Sequence, residues 1–315
     1  MSRIHEALKK AELERTEASV ADHAGRLSSE ASHTSADHER AAQGPALYGV
    51  GQEPMVSRLS TEAVPGYLRF EDLKARCAHP QWSPDRNTNV FFNPDLSEHG
   101  AEQFRTLRSR LYHARSNQPL RTLLLTSSVP QEGKTFVTAN LAQAIVRQPD
   151  RRVLVIDADL RRPRVHAVFG THAAPGLTDY LKSDADEFAV IQCGGEENLC
   201  LIPGGTEVAD PSELLSNERL KLLLDRLAPT FDWILIDSPP CLPVADASVL
   251  ASLCDGVLLV VRAGATPSAI AAKARAELKD HNVVGVVLNS VEKNHLYGAD
   301  YYYQKYGYSR DVLAK

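Results

Sequence analysis

Lys134 and three carboxylates, Asp157, Asp159 and Asp237, are the residues of this 315-residue chain whose types and spacing could do chemistry together. Lys134 lies in Ser127-Ser-Val-Pro-Gln-Glu-Gly-Lys-Thr135, a loop of small residues closed by Gly-Lys-Thr. Such a loop suits the phosphates of a nucleoside triphosphate: its N–H groups and the following helix N-terminus cradle anionic oxygens. Lys134 adds a fixed positive charge, and the Thr135 hydroxyl can ligate magnesium. The candidate nucleotide-binding residues are Ser128, Val129, Pro130, Gln131, Glu132, Gly133, Lys134, Thr135 and Phe136. One position departs from the strict P-loop pattern, because Ser128 stands where Gly is expected. Asp157 and Asp159 are two apart, so in an extended segment both point the same way. Two acids beside a triphosphate site suit metal binding or proton acceptance. The competing reading, a turn or N-cap pair, loses ground because a P-loop lies one βα unit upstream. Asp237 ends Asp232-Trp-Ile-Leu-Ile-Asp237 before Ser-Pro-Pro, a placement suited to holding magnesium.

Apolar runs of strand length must position these groups. Thr122–Thr126, Val153–Ile156, Asn198–Pro203, Asp232–Ile236, Gly256–Val261 and Asn282–Leu288 read as strands. Phe136–Val146, a segment starting at Asp210-Pro211, Ala245–Ala251 and Pro267–Asp280 read as helices. The alternation predicts an α/β fold with a doubly wound, mostly parallel sheet. Its acids leave the C-terminal strand ends, where ligands bind in such sheets. Residues 164–196 read as a helical and loop insertion. Arg161, Arg162 and Arg164 add positive charge at the same edge, either to recognise acidic groups or phosphate, or as a solvated loop. Upstream, Phe104, Leu107, Leu111 and Tyr112 recur at helical spacing. Glu102, Arg105 and Arg108 form a second row on that helix, suited to salt bridges with a neighbouring copy or to simple solvation.

The flanks differ in composition. Residues 1–15 read as a charged helix, 16–87 as a flexible linker and surface segment, 88–295 as the folded domain and 296–315 as a tail. That tail holds Tyr297, Tyr301, Tyr302, Tyr303, Tyr306 and Tyr308, six of the chain's ten tyrosines. They suit an aromatic interface or a set of phosphate acceptors. A net charge of −5 gives no nucleic-acid footprint. No apolar run is long enough to span a bilayer, and the N-terminus lacks the apolar region of a signal peptide. The five cysteines, without Cys-x-x-Cys, read as reduced thiols of a cytosolic protein.

With these residues assembled, the chain resembles the bacterial tyrosine kinases of exopolysaccharide and capsule synthesis, a branch of P-loop NTPases of the ParA/MinD-like type. Ser127–Thr135 looks like the family's Walker A loop, Asp157-Ala-Asp159-Leu-Arg161 like its A′ motif, and Ile234–Pro240 like its Walker B. Glu102-x-x-Arg105-x-x-Arg108 is similar to its oligomerisation motif, and the tail to its tyrosine cluster. The resemblance implies ATP and Mg²⁺ as cofactors, Lys134, Asp157 and Asp159 as catalytic residues, and Thr135, Asp159 and Asp237 around the metal. Spacing alone does not separate the roles of Asp157 and Asp159. The resemblance also implies phosphorylation of the tail tyrosines in trans, a homo-oligomer such as a ring, and a transmembrane polysaccharide co-polymerase as activator. The expected location is cytoplasmic, at the inner face of the cell membrane through that partner. ParA/MinD ATPases carry an extra Lys where Val129 stands, which favours the kinase reading. The alternatives are an ATPase switch that labels no tyrosine and a non-catalytic nucleotide-binding subunit.

Overall fold

The computed structural model describes residues 68–194 and 198–291, without the side chains of 94–99. The expected helix at 1–15, the linker up to residue 67 and the tyrosine tail lie outside the described residues. Seven strands form one sheet: β1 Thr122–Ser127, β2 Val153–Asp157, β3 Gln192–Cys193, β4 Leu199–Ile202, β5 Trp233–Asp237, β6 Gly256–Arg262 and β7 Val283–Asn289. Their order is β3-β4-β2-β5-β1-β6-β7, and only β3 runs antiparallel to its neighbour. The mostly parallel, doubly wound α/β sheet read from the sequence is therefore present.

Side-chain alternation along the strands divides the core into two layers. Leu124, Ile156, Ile234, Ile236 and Leu259 face one side, with Leu223 and Leu250 from the helices packed against it. Leu123, Leu125, Val155, Leu235 and Val260 face the other, where Leu141, Ile145 and Phe104 cover them. Strands β1, β2 and β5 are buried on both faces, which is why they read as unbroken apolar runs rather than alternating ones. The helix after the P-loop, Lys134–Val146, is buried from Val137 to Val146. The helix Pro94–Asn117 covers it, so the P-loop helix has almost no solvent face.

The folded unit starts earlier than the boundary expected at residue 88. A short helix, α1 (Phe70–Arg76), buries Phe70 and Leu73 in the first core layer. Phe70 stacks edge-on against Phe231 at 5.7 Å. From Cys77 to Asn93 the chain runs as a strap rather than a loose linker. Ala78 bridges β3, the Ser83 and Asp85 amides donate to the Gly170 and Val168 carbonyls, and Trp82 stacks on Phe169 at 5.2 Å. Asn140, on the P-loop helix, completes it: Oδ1 accepts from the Val90 amide at 2.8 Å and Nδ2 donates to the Thr88 carbonyl at 2.9 Å.

The cysteine expectation also needs correction. Cys193 and Cys200 occupy opposite positions of the antiparallel β3–β4 pair and are joined by a disulfide. Strand register brings their Cα atoms to 4.3 Å. Cys77, Cys241 and Cys254 are free.

Candidate active site

The sheet order puts β5 between β2 and β1, so the three segments expected to carry chemistry emerge side by side. Asp157 and Asp237 are register partners at the ends of β2 and β5, and the P-loop leaves β1 next to them. Lys134, Thr135, Asp159 and Asp237 converge. The Lys134 ammonium lies 2.8 Å from Asp159 Oδ2, and the Thr135 hydroxyl donates to Asp237 Oδ2 at 2.7 Å. Thr138, one turn further along the same helix, sets its hydroxyl 3.2 Å from the other Asp237 oxygen. A cavity of about 410 Å³ opens over the loop, lined by Gln131, Gly133, Lys134, Thr135, Asp159 and the prolines that follow Asp237.

The two acids of the Asp-x-Asp pair have different surroundings. Asp159 lines the cavity and pairs with Lys134. Asp157 is fully buried behind it. Its Oδ2 accepts the Arg164 and Val165 amides, each at 2.9 Å, and its Oδ1 accepts the Asp159 amide at 3.3 Å. Asp157 thus shapes the turn that presents Asp159. Burial, and then the charge of Asp237, raise the Asp157 carboxyl well above its ordinary range. Burial likewise pushes Asp237 up to about 6, against the opposing pull of Lys134. Burial alone would lower the Lys134 ammonium, but the charges of Asp237, Asp159 and Asp157 outweigh it and raise it.

The loop has the form of an anion cradle. Its backbone takes positive φ at Gln131 and Gly133, 68° and 92°. The positive φ requires the Gly of Gly-Lys-Thr, and a Cβ at position 133 would also lie 2.0 Å from Asn289 Nδ2 and displace that side chain. The Ser128 hydroxyl is buried with no hydrogen-bond partner among the described residues. An unfilled polar atom, an array of hard oxygen donors and a fixed ammonium fit a magnesium-bound nucleotide. Thr135, Asp159 and Asp237 are the residues that would hold the metal.

Three contributors take roles that the sequence did not assign, although Glu132 stands among the candidate nucleotide-binding residues. Glu132 is buried inside the loop instead of facing water. Its carboxylate accepts the Val129 amide at 2.8 Å and the Arg262 amide at 3.3 Å, and it also accepts from the Thr266 hydroxyl. Asn289, at the end of β7, donates to the Glu132 carbonyl at 2.9 Å. These contacts tie the P-loop to the far edge of the sheet. The third is Asp246, buried at the start of the helix Asp246–Ala251. Arg161 Nε donates to Asp246 Oδ2 at 2.8 Å and Nη2 to Oδ1 at 3.2 Å, while Ser212 donates to Oδ1 at 2.6 Å. Burial would raise the Asp246 carboxyl, but the Arg161 and Ser212 hydrogen bonds outweigh it and hold it low. Of the three arginines, Arg161 is therefore locked at the cavity rim, and Arg162 and Arg164 line the same opening. An acid in the Ala-rich stretch after Ser-Pro-Pro would have been the only signal for Asp246.

The row Glu102, Arg105, Arg108 lies on the helix Pro94–Asn117. Arg105 pairs with Glu102 on the exposed surface, and Arg108 donates to the Ala144 carbonyl of the P-loop helix. The tyrosines 297 to 308 fall outside the described residues.

A P-loop fold with two acidic strand ends defines the class, and comparison with known proteins defines the family. The model of the AAA domain matches residues 131–269. The chain is 34% identical over 214 residues to the tyrosine-protein kinase YwqD of Bacillus subtilis, covering 67% of this chain and 90% of that one. It is 35% identical over 212 residues to the tyrosine-protein kinase wzc of Salmonella typhimurium, covering 67% of this chain but 29% of that longer protein. Among solved structures, the kinase domain of the Escherichia coli tyrosine kinase ETK superposes with a TM-score of 0.61 at 33% identity, over 65% of this chain and 80% of that one. The BceF tyrosine kinase domain gives 0.60 at 28% identity, over 69% and 93%. The chain belongs to the bacterial tyrosine-kinase family. Among the described residues no helix is long and apolar enough to cross a membrane.

Proposed function

We propose that this chain transfers the γ-phosphoryl group of ATP to tyrosine, with its own tail tyrosines, Tyr297, Tyr301, Tyr302, Tyr303, Tyr306 and Tyr308, as acceptors in a neighbouring copy. The observation that carries this reading is the convergence of Lys134, Thr135, Asp159 and Asp237 on one cavity in a chain of this family. The loop amides and Lys134 hold the β- and γ-phosphates, and Lys134 leaves Asp159 to do so. Thr135, Asp159 and Asp237 would hold a magnesium ion, which would neutralise phosphate charge. A free tyrosine has a pKa of about 10, so its proton must go as the new P–O bond forms and the bond to ADP breaks. The Asp157–Asp159 pair takes that proton: the family resemblance points to Asp157, while Asp159 is the member that lines the cavity.

Glu102, Arg105 and Arg108 join copies into a ring, and the tail of one copy enters the cavity of the next. Phosphorylation adds about −1.5 to −2 charge per tyrosine, so a heavily labelled tail is repelled from the acidic site and the assembly disperses. A transmembrane co-polymerase partner holds the protein at the inner face of the membrane, where the cycle regulates exopolysaccharide polymerisation and export. Family membership and the order of the motifs in the sequence support the ring, the partner and the cycle.

The test is incubation with Mg-ATP followed by phosphotyrosine detection and peptide mapping. Wild type is expected to label within residues 297–308, and the variant with all six tail tyrosines changed to Phe is expected to lose at least about nine-tenths of the label, as is Asp157→Asn. ATP consumption with no phosphotyrosine would establish the switch ATPase instead. Full labelling of the six-Phe variant would move the acceptor elsewhere, and full labelling of Asp157→Asn would remove that acid as the base.

The interface has its own check. Arg105→Ala combined with Arg108→Ala is expected to reduce the assembly to monomers in light scattering, with a melting temperature shift of no more than a few degrees. The exposed Glu102–Arg105 pair stabilises one copy by at most about 1 kcal/mol. An unchanged assembly mass would sink the assignment.

A further inference from the structure

Three cysteines far apart in the sequence meet at the outer edge of the sheet. The disulfide between Cys193 and Cys200 crosses the β3–β4 pair. Cys77, at the C-terminal end of α1, places its sulfur 3.3 Å from Cys193 Sγ. All three are buried, at 8%, 1% and 0% exposure, so they react with each other far more readily than with bulky reagents. Backbone bonds fix the approach: the Ala78 amide donates to the Ile191 carbonyl at 3.2 Å and the Cys193 amide to the Ala78 carbonyl at 2.9 Å. A free thiol held this close to one sulfur of a disulfide is the arrangement that thiol–disulfide exchange requires.

We propose that Cys77, Cys193 and Cys200 form an intramolecular exchange site, in which one disulfide moves between Cys193–Cys200 and Cys77–Cys193. The Cys77 thiol gives its proton to water, and the thiolate attacks Cys193 Sγ. The Cys77–Cys193 bond forms as the Cys193–Cys200 bond breaks. The bonding pair leaves on Cys200 Sγ, which takes up a proton. One disulfide and one thiol stand on each side, so no oxidant or reductant is consumed. Burial raises the Cys77 thiol and keeps it protonated at rest, so the move is slow and not continuous.

The two states differ in what is tied together. The Cys193–Cys200 bond closes a hairpin of sequence separation 7. A Cys77–Cys193 bond spans 116 positions and fastens α1, and the strand of chain entering at Leu68, to the sheet edge. The site therefore sets whether the entry of the N-terminal segment is covalently fixed or held only by packing.

Trypsin distinguishes the two states in the full chain. It releases Cys77 in peptide 77–86 and both Cys193 and Cys200 in peptide 183–219. After incubation of the folded protein, denaturation in acid and alkylation with N-ethylmaleimide, mass spectrometry is expected to find two forms of wild type. One is 183–219 with an internal disulfide, and the other is 183–219 joined to 77–86. Cys200→Ser, oxidised with diamide, is expected to give the joined pair, and Cys77→Ser never to give it. Hydrogen exchange of the α1 amides in the joined form is expected to be at least about tenfold slower than in the hairpin form. Absence of the joined pair from wild type overturns the exchange, whatever Cys200→Ser does. Its absence from Cys200→Ser as well overturns the geometry, and equal α1 exchange rates in the two forms overturn the proposed fastening.

Discussion

Lys134→Met is expected to lower tyrosine labelling from Mg-ATP at least about a hundredfold, the scale on which removal of one preorganised charge-stabilising group is felt. Lys134 is the cation that three carboxylates share. Its ammonium contacts Asp159 at 2.8 Å, and the charges of Asp237 and Asp157 also act on it. The side chain is largely buried, so water cannot substitute for the lost charge. Met keeps the length and the apolar stem, which isolates the charge as the thing removed. Both terms of the rate should suffer: ATP binds more weakly because the acids now face the phosphates uncompensated, and the transferring group loses its stabilising partner. Initial rates of radiolabel transfer at saturating and subsaturating ATP separate these. Labelling within about tenfold of wild type would remove Lys134 from the mechanism and, with it, the phosphate-cradle role of the loop.

Leu73→Ala is expected to destabilise the fold by about 3 kcal/mol, the usual cost of an emptied leucine site. Leu73 is completely buried, and it belongs to the same core layer as Leu154, Ile156 and Ile234 of the central strands. For a folded unit of this size the change corresponds to a fall in melting temperature of roughly 6–12 °C. Calorimetry or denaturant unfolding measures it. A shift below about 1 kcal/mol would mean that α1 packs as an accessory, and the boundary read from the sequence at residue 88 would then be the better one.

That boundary shows which parts of the molecule the sequence reveals. Asp157 and Asp237 each end a run of apolar residues, and Lys134 sits in a loop between a strand pattern and a helix pattern. Local spacing alone marks such positions, so the site's four principal groups were legible. Phe70 and Leu73 are two apolar residues in a short charged segment, too few to raise a period. What buries them is a sheet built from residues more than fifty positions later. Cys193 and Cys200 needed a strand register, and β3 is two residues long, beneath any pattern. Glu132 reads as part of the phosphate loop, but its burial was not legible. A carboxylate beside Gly usually faces water, yet here the hydrogen bonds from Val129, Arg262 and Thr266 repay its burial. Asp157 and Asp159 have equal spacing rights to the cavity, and only the turn amides of Arg164 and Val165 show which one is turned inward.

The segment from Leu68 through α1 and the strap to Val90 also has a mechanical meaning. Its anchors come in series: Phe70 and Leu73 in the core, Ala78 on β3, Ser83 on Gly170 and Asp85 on Val168, and last Thr88 and Val90 on Asn140. A pull applied at Leu68 loads these fastenings one after another, as in peeling tape, rather than all at once. The helix that begins with Lys134 carries the final fastening. A pull at Leu68 would therefore meet three earlier attachments before the pair on Asn140, in the helix that begins with Lys134.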